Sequence, residues 1–317
     1  MCNLYGNLTL YLYNWHFICL TLKAEYVIIN NVCEILKEAD KMAVNEYCVL
    51  MSVYRKEKAE FFRAAAESMI KQSIKPSQIV IVCDGPLTQE LEREIYRFES
   101  ANAGLVDVVR LPENRGLAEA LNAGLKECRY EYVARMDTDD ISLRERCEMQ
   151  LKSMQKHGSD ICSATVAEFI EDPKVIEAYK TLPVSHKEIL EYARTRNPFN
   201  HPCVMYRRSA VMKAGRYENY RFFEDYQLWV RMLSGGAKGH NIAKPLLLMR
   251  TGGGMYSRRG GKEYLRCARR MEQYKLRTGF CSRAEYLKRM SAFTVFALAP
   301  DKAREKLYKS FLRKRRK

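Results

Sequence analysis

The 317-residue chain has 11 cysteines but no C-x-x-C pair. An odd, scattered set excludes a simple disulfide framework, and the lack of paired spacing excludes a zinc ribbon. The thiols read as small buried apolar side chains in a reducing cytosol. A run of ~20 uninterrupted apolar residues, as a membrane-spanning helix requires, is also missing. The nearest approach, residues 4–22 (LYGNLTLYLYNWHFICLTL), is broken by Asn7, Asn14 and His16. It lacks the basic lead-in and small-residue cleavage site of a signal peptide. There is no internal repeat and no low-complexity tract. The segment after the first strand-like run, SVYRKEKAE, has no glycine. A nucleotidyltransferase would be expected to show a Gly-rich loop with Arg and Lys there.

A hydrophobic share of 47% provides an ordinary globular core. The length suits one large α/β domain with an appendage, or two modest domains. The net charge of +16 is concentrated in one segment: from Lys244 onward there are 22 Lys+Arg against 5 Asp+Glu. The preceding 243 residues carry 32 basic and 33 acidic side chains. Such a basic tail seeks a polyanion, whether nucleic acid, anionic lipid or a phosphate-bearing substrate, or else forms a solvated helix face.

Met42 directly precedes a strand-like segment, so translation is expected to begin near it, with residues 1–42 an N-terminal extension. Beyond it, strand and helix alternate. Tyr47–Val53 is a compact apolar run, as expected of a strand covered on both faces. Lys56–Gln72 has helical period, Gln78–Cys83 is a second buried strand, and Asp84-Gly85-Pro86 is a turn signature. Leu87–Phe98 reads as a helix, Val106–Leu111 as a strand, Gly116–Cys128 as a helix and Tyr130–Met136 as a strand ending on a carboxylate cluster. Repeated strand–helix units imply a mostly parallel, Rossmann-like sheet with ligands beyond the carboxyl ends of its strands. The second half is less regular. Asp160–Ile170, Cys203–Arg207 and Leu246–Met249 look like strands, and Glu224–Leu233 like a short helix stopped by Gly235-Gly236. A Gly- and Arg-rich loop, TGGGMYSRRGG, precedes three amphipathic helices, Lys262–Arg277, Arg283–Ala299 and Asp301 onward. The domain boundaries are therefore 1–42, 43–250 and 251–317.

The strongest chemical feature is MDTDD, residues 136–140. Three carboxylates at a strand end repel one another and resist desolvation. A hard divalent cation, Mg2+ or Mn2+, relieves that repulsion and bridges the acids to phosphate oxygens. The alternative is a solvated acidic turn in which Asp140 or Ser142 caps the following helix. Three further motifs keep it company. Asp84 ends a strand, where it can accept a hydrogen bond from a base or ribose. Asn114, Arg115 and Gly116 open a helix with N–H groups and a guanidinium facing outward for anionic oxygens. Glu224-Asp225 opens another helix, where the two acids also suit the helix dipole.

In this order the motifs resemble the family 2 glycosyltransferases. CVLMSVYRKE, Asp84, N-R-G-L-A, D-T-D-D and an E-D pair about 85 residues later all appear, spanning roughly Tyr47 to Arg250. The resemblance implies the GT-A nucleotide-diphospho-sugar transferase fold with a C-terminal helical appendage. It also implies an enzyme that moves a sugar from a nucleotide-sugar, by default UDP-linked, to a glycan hydroxyl. By that likeness the Ser52-Val53-Tyr54 backbone and Asp84 hold the nucleoside, together with Asn114, Arg115 and Gly116. Asp137 contacts ribose or metal, Asp139 ligates the metal, and Asp225 is the catalytic base. Glu224, His201 and Arg250 fall where acceptor or diphosphate contacts are expected, although a lone His is more often structural. Arg258-Arg259 sit in the loop that in such enzymes closes over the diphosphate. Trp229 reads as core rather than as a sugar platform.

The chemistry agrees with the residues. Displacing a nucleoside diphosphate requires neutralisation of charge on the leaving group and removal of the acceptor's proton from the opposite face. One base with in-line attack inverts the anomeric centre. The Q-x-x-R-W motif of processive synthases is absent, so one sugar per encounter is expected. The basic amphipathic tail suits an anionic membrane surface. With the resemblance it implies a lipid-linked oligosaccharide acceptor, a cytoplasmic location peripheral to the inner face of the plasma membrane, a role in cell-surface polysaccharide biosynthesis, and no nucleic-acid partner. Two alternatives stay open at this level: a basic nucleic-acid-binding protein, which explains the tail but not the acids, and a catalytically inactive nucleotide-sugar-binding relative.

Overall fold

A computed structural model describes residues 45–251 and 261–298. The N-terminal extension, Arg258-Arg259 and the expected helix from Asp301 lie outside the described residues.

The first half consists of β1 (Tyr47–Val53), α1 (Ala59–Ile70), β2 (Gln78–Cys83), α2 (Gln89–Ala101), β3 (Val106–Arg110), α3 (Leu117–Glu127) and β4 (Tyr132–Asp137). Each lies where the apolar pattern places it. Then come β5 (Ile141–Ser142), α4 (Arg146–His157), β6 (Ile161–Phe169), β7 (Ala178–Lys180), α5 (His186–Ala193), β8 (Met205–Arg207) and α6 (Arg208–Lys213). The chain continues through α7 (Glu224–Ser234), β9 (Gly239–Arg250), α8 (Gly261–Arg277) and α9 (Arg283–Leu298). The strands form one sheet in the order β3-β2-β1-β4-β8-β6-β9-β5, with β7 paired to β6. From β3 to β4 all pairings are parallel. Beyond β4 they are mixed, because β8 runs antiparallel to both β4 and β6.

Both sheet faces are covered, and the alternation along β1 shows how. Tyr47, Val49 and Met51 pack with Phe62 and Met69 of α1 and Leu151 and Met154 of α4. Cys48 and Leu50 face Leu121 and Leu125 of α3, within a cluster that includes Trp229 of α7. Two-sided burial explains why β1 and β2 read as continuous apolar runs. Gly124 lets α3 lie against the sheet, since a Cβ there would stand 2.3 Å from Leu50 Cδ1 and 2.7 Å from Val82 Cγ2. A third cluster docks the C-terminal helices: Phe223, Tyr226 and Val230 of the α7 region meet Tyr264, Ala268 and Met271 of α8 and Phe293 of α9. The eight cysteines among the described residues are all free, and seven are buried.

Several elements differ from expectation. The final strand is not four residues but Gly239–Arg250, paired along β6 through a register shift near Pro245. Helices α4, α5 and α6 and the short β5 and β7 were not expected. The next helix after the acidic turn begins at Arg146, and Ser142 lies in β5. Neither Asp140 nor Ser142 is therefore its cap.

Candidate active site

The carboxyl ends of β1, β2 and β4 form one rim. Ser52 is paired in register with Asp137 across β1 and β4, and the Asp84 N–H donates to the Val53 carbonyl at 2.8 Å. Asp84 itself is buried and organises the N-R-G segment. Its Oδ1 accepts from the Arg115 N–H at 2.7 Å, and its Oδ2 accepts from the Gly116 N–H at 3.0 Å and Asn114 Nδ2 at 2.9 Å. Gly85 makes the approach possible: its φ is +83°, and a Cβ would stand 2.5 Å from the Asn114 backbone nitrogen. Sequence reasoning saw Asp84 as a ligand for the nucleoside; the structure adds that it braces the segment expected to flank it. Tyr54 is exposed beside this turn.

The acidic cluster stands at the end of β4. Ligand oxygens of Asp137, Asp139 and Asp140 lie within 4.8 Å of one another. Burial pushes the Asp139 carboxyl up to about 7, helped by repulsion from Asp137 and Glu57. Burial, then the charges of Asp137 and Asp139, also raise Asp140 well above the usual carboxylate range. Asp140 accepts the Arg250 N–H at 2.8 Å. Arg250 also donates from Nε to the Asp139 carbonyl at 3.2 Å, and its guanidinium lies 3.9 Å above the Phe61 ring. Arg250 thus tethers the acidic turn to β9.

Two residues that the sequence reading missed complete this end. Glu57 accepts from Thr138 Oγ1 at 2.8 Å. Arg135 is buried and ion-paired with Asp137; its Nε and Nη1 have no hydrogen-bond partner among the described residues. A signal for Arg135 existed, because it alternates with Asp137 on one face of β4.

Asp225, in the first turn of α7, is partly exposed. Its Oδ2 accepts from Asn197 Nδ2 at 2.6 Å and its Oδ1 from the Tyr226 N–H at 2.7 Å. Burial raises its pKa, opposed by these two bonds and by the nearby charges of Lys180 and Arg135. Arg135 thus links the electrostatics of Asp137 and Asp225. Burial likewise lifts Glu224 to about 7. His201 shares a hydrogen bond between Nε2 and the Tyr217 hydroxyl at 3.0 Å. Burial, with Arg135 and Lys180 nearby, holds its pKa well below the usual value, so the imidazole is neutral. Trp229 is fully buried. A cavity of about 600 Å³ is lined by Arg115, Lys126, Arg216 and Arg270 and by none of Asp137, Asp139, Asp140 and Asp225.

One pH dependence follows. Were Asp225 the base, it would have to be ionised, and a raised pKa keeps it protonated to higher pH than an ordinary aspartate, whose pKa is ~3.9. The acid limb of kcat is therefore expected above the usual aspartate range, which a pH–rate profile at saturating donor measures.

A largely parallel sheet with the order 3-2-1-4 in its first half, and acids at the strand ends, defines the GT-A class of nucleotide-diphospho-sugar transferases. The S. aureus TarS 1–349 structure in complex with UDP-GlcNAc superposes with a TM-score of 0.60 at 15% identity, covering 84% of this chain and 76% of that one. The sequence model for glycosyl transferase family 2 matches residues 48–215. The amylovoran biosynthesis glycosyltransferase AmsE of Erwinia amylovora is 39% identical over 83% of this chain and 97% of its own length. The UDP-Gal:alpha-D-GlcNAc-diphosphoundecaprenol beta-1,3-galactosyltransferase of Escherichia coli is 33% identical over 85% of this chain and 97% of its own length. The chain belongs to glycosyl transferase family 2, and it is a glycosyltransferase.

Proposed function

We propose that the protein is an inverting, metal-dependent, non-processive glycosyltransferase. It moves one hexosyl or N-acetylhexosaminyl unit from a UDP-sugar to a hydroxyl of a lipid-linked glycan acceptor in cell-surface polysaccharide biosynthesis. The observation that carries this reading is a separation of roles: a tight carboxylate triad at the end of β4, and a distinct carboxylate, Asp225, at the start of α7. The relatives from Erwinia amylovora and Escherichia coli support the polysaccharide setting and the diphosphate-linked lipid acceptor.

The triad fits a divalent metal. Its oxygens are close-set, and the carboxyl of Asp139 sits near 7 because the acids crowd and are desolvated. A hard cation offsets both effects. Asp137 and Asp139 would hold Mg2+ or Mn2+, which supplies Lewis-acid stabilisation of the diphosphate leaving group. This chain's own residues do the rest. Ser52-Val53-Tyr54 and Asp84 border the nucleoside; the Asn114 amide and the Arg115 and Gly116 N–H groups shape this edge through Asp84, which leaves the exposed Arg115 guanidinium as the donor to anionic oxygens. Asp225, oriented by Asn197 and the Tyr226 N–H, takes the proton of the acceptor hydroxyl. Glu224, the neutral His201 and Arg250 stand near the acceptor or diphosphate. Because a single base serves one displacement, the anomeric configuration inverts.

A peripheral position at the inner face of the plasma membrane accords with the surface of α8 and α9. Lys262, Arg266, Arg269, Arg277 and Lys288 are exposed there, as are Leu287 and Val295. No helix among the described residues is long and apolar enough to cross a membrane. The basic end of the chain lies outside the described residues.

The test is a panel of UDP-, dTDP- and GDP-sugars with Mn2+ and a short-chain lipid-diphosphate-linked sugar as acceptor, read by mass spectrometry and proton NMR. One UDP-sugar is expected to add a single residue with anomeric configuration opposite to the donor. Retention of configuration, or long polymer, would refute the proposed mechanism.

A further inference from the structure

An amphipathic helix packed on a core normally presents apolar residues inward. Helix α8 departs from this at Glu272 and Lys275, one turn apart and both fully buried. They form an ion pair of 2.8 Å. Burial lowers the Lys275 pKa and raises that of Glu272, so each charge is held against the local dielectric. A buried pair of this kind is seldom better for stability than two apolar side chains of similar volume. Its retention needs another explanation, and the remaining contacts of Lys275 supply one.

The Lys275 ammonium donates to the Arg194 carbonyl at 3.0 Å and to the Tyr226 hydroxyl at 3.0 Å. The Tyr226 hydroxyl in turn donates to the Ala193 carbonyl at 2.6 Å. Ala193 and Arg194 close α5, and the chain that leaves them carries Asn197, whose Nδ2 donates to Asp225. Tyr226 is the neighbour of Asp225 and donates its N–H to the same carboxylate. One ammonium therefore joins the two segments that meet on the Asp225 oxygens. Strain lies beside them: Phe222 has φ +70°, a left-handed conformation that a bulky residue adopts only when its surroundings impose it. Helix α8 packs against this segment, through a Phe222–Tyr264 ring contact at 5.5 Å and an ion pair from Arg221 to Glu263.

We propose that Lys275 is a positioning residue for glycosyl transfer: from outside the rim it fixes the Asn197 segment against the first turn of α7, and so aims the Asp225 carboxylate at the acceptor. The inference rests on the reading of Asp225 as the base. It gives the C-terminal helices a part in turnover that donor binding does not need.

The test compares Lys275→Met, the double variant Glu272→Met/Lys275→Met, Tyr226→Phe and Asp225→Asn in the full-length protein. Misplacing a reacting group by about an ångström lowers rates by up to ~100-fold. Lys275→Met is expected to lower kcat by roughly tenfold to a hundredfold, with the UDP Kd in Mn2+ unchanged. It should also lower Tm, because among the described residues buried Glu272 keeps only the Arg289 guanidinium, 3.9 Å away, to balance its charge. The double variant removes that charge and is expected to recover Tm but not kcat, since the Arg194 carbonyl and Tyr226 hydroxyl still lack their donor. Tyr226→Phe deletes one hydroxyl, keeps the ion pair, and is expected to lower kcat several-fold at nearly unchanged Tm. Wild-type kcat in both the double variant and Tyr226→Phe would overturn the proposal and leave Lys275 a purely structural residue. Retained turnover in Asp225→Asn would instead show that the base assignment itself had failed, and the positioning role with it.

Discussion

Asp225→Asn is expected to lower kcat by about a thousandfold, within the range of a lost general base, while the donor binds as in the wild type. The side chain is nearly isosteric. Its one remaining oxygen can still accept from the Tyr226 N–H, which now meets Asp225 Oδ1 at 2.7 Å. The amide facing Asn197 must then find an acceptor, and Asn197 can turn its own amide at the cost of the Phe199 N–H that its Oδ1 accepts at 3.2 Å. The fold therefore survives with a small local adjustment. Stability moves the other way from activity. Because burial raises the Asp225 pKa in the folded protein, the stabilising influence of its protonated form is present at low pH and is lost as pH rises through that pKa. Above that pKa the ionised carboxylate is a liability, so the amide is not expected to lower Tm there. A variant that is dead in transfer, intact in donor binding and at least as stable separates loss of a base from loss of a fold. Steady-state kinetics with a thermal melt measures all three.

Asp139→Asn, or chelation of the wild type, is expected to act on the other half of the reaction. Removing a metal-ligating carboxylate weakens affinity at least as much as removing a supporting partner, which typically costs ~10- to 100-fold. Nucleotide binding in Mn2+ should therefore weaken by about a hundredfold, and turnover with it. EDTA should abolish turnover reversibly, with recovery on adding Mn2+. The metal-free protein should respond oppositely. The Asp139 pKa is raised to about 7, so its ionisation destabilises the metal-free fold as pH climbs through that value. The amide relieves this repulsion, and Tm without metal is expected to rise at pH 8. Equal Tm values and an unchanged Mn2+ requirement would deny Asp139 its role.

How much of this was visible before folding depended on whether a residue's task was local. Strands β1 and β2 are buried on both faces, and the unbroken apolar runs Tyr47–Met51 and Ile79–Cys83 announce that without help. The rim acids are legible for the same reason: three carboxylates at the end of such a strand need an explanation. Strand β9 is different. Gly239, Asn241, Lys244 and Pro245 read as loop, and they form a strand because β6 offers a partner along its full buried length, with a register shift near the proline. Local propensity gives way to tertiary pairing there. Helix α4 was missed although Cys147, Leu151 and Met154 have helical spacing, because Arg146 and Gln150 break the apolar stripe. Both are fully buried. Arg146 donates to the Arg135 carbonyl at 2.6 Å, and Gln150 to the Cys203 carbonyl at 2.8 Å.

The site shows the same division. Asp84, Asp137, Asp139 and Asp225 could be singled out because each stands at a recognisable strand or helix end. Asn197 could not, since nothing in N-P-F-N-H-P distinguishes the amide that holds Asp225 from its neighbours. Lys275 was hidden more deeply. In a helix where arginine and lysine mostly face solvent, one buried lysine looks like the rest, and only the packing of α8 on α7 marks it out.

The most direct measurement is calorimetric titration of UDP into the wild type, Asp225→Asn and Asp139→Asn, each with and without Mn2+. Wild type and Asp225→Asn are expected to share one Kd in Mn2+. Asp139→Asn in Mn2+ and wild type without it are expected to be weaker by a similar factor of about a hundred. UDP binding to the wild type that is indifferent both to Mn2+ and to Asp139 would contradict the account, because it would place the donor away from the acids at the end of β4.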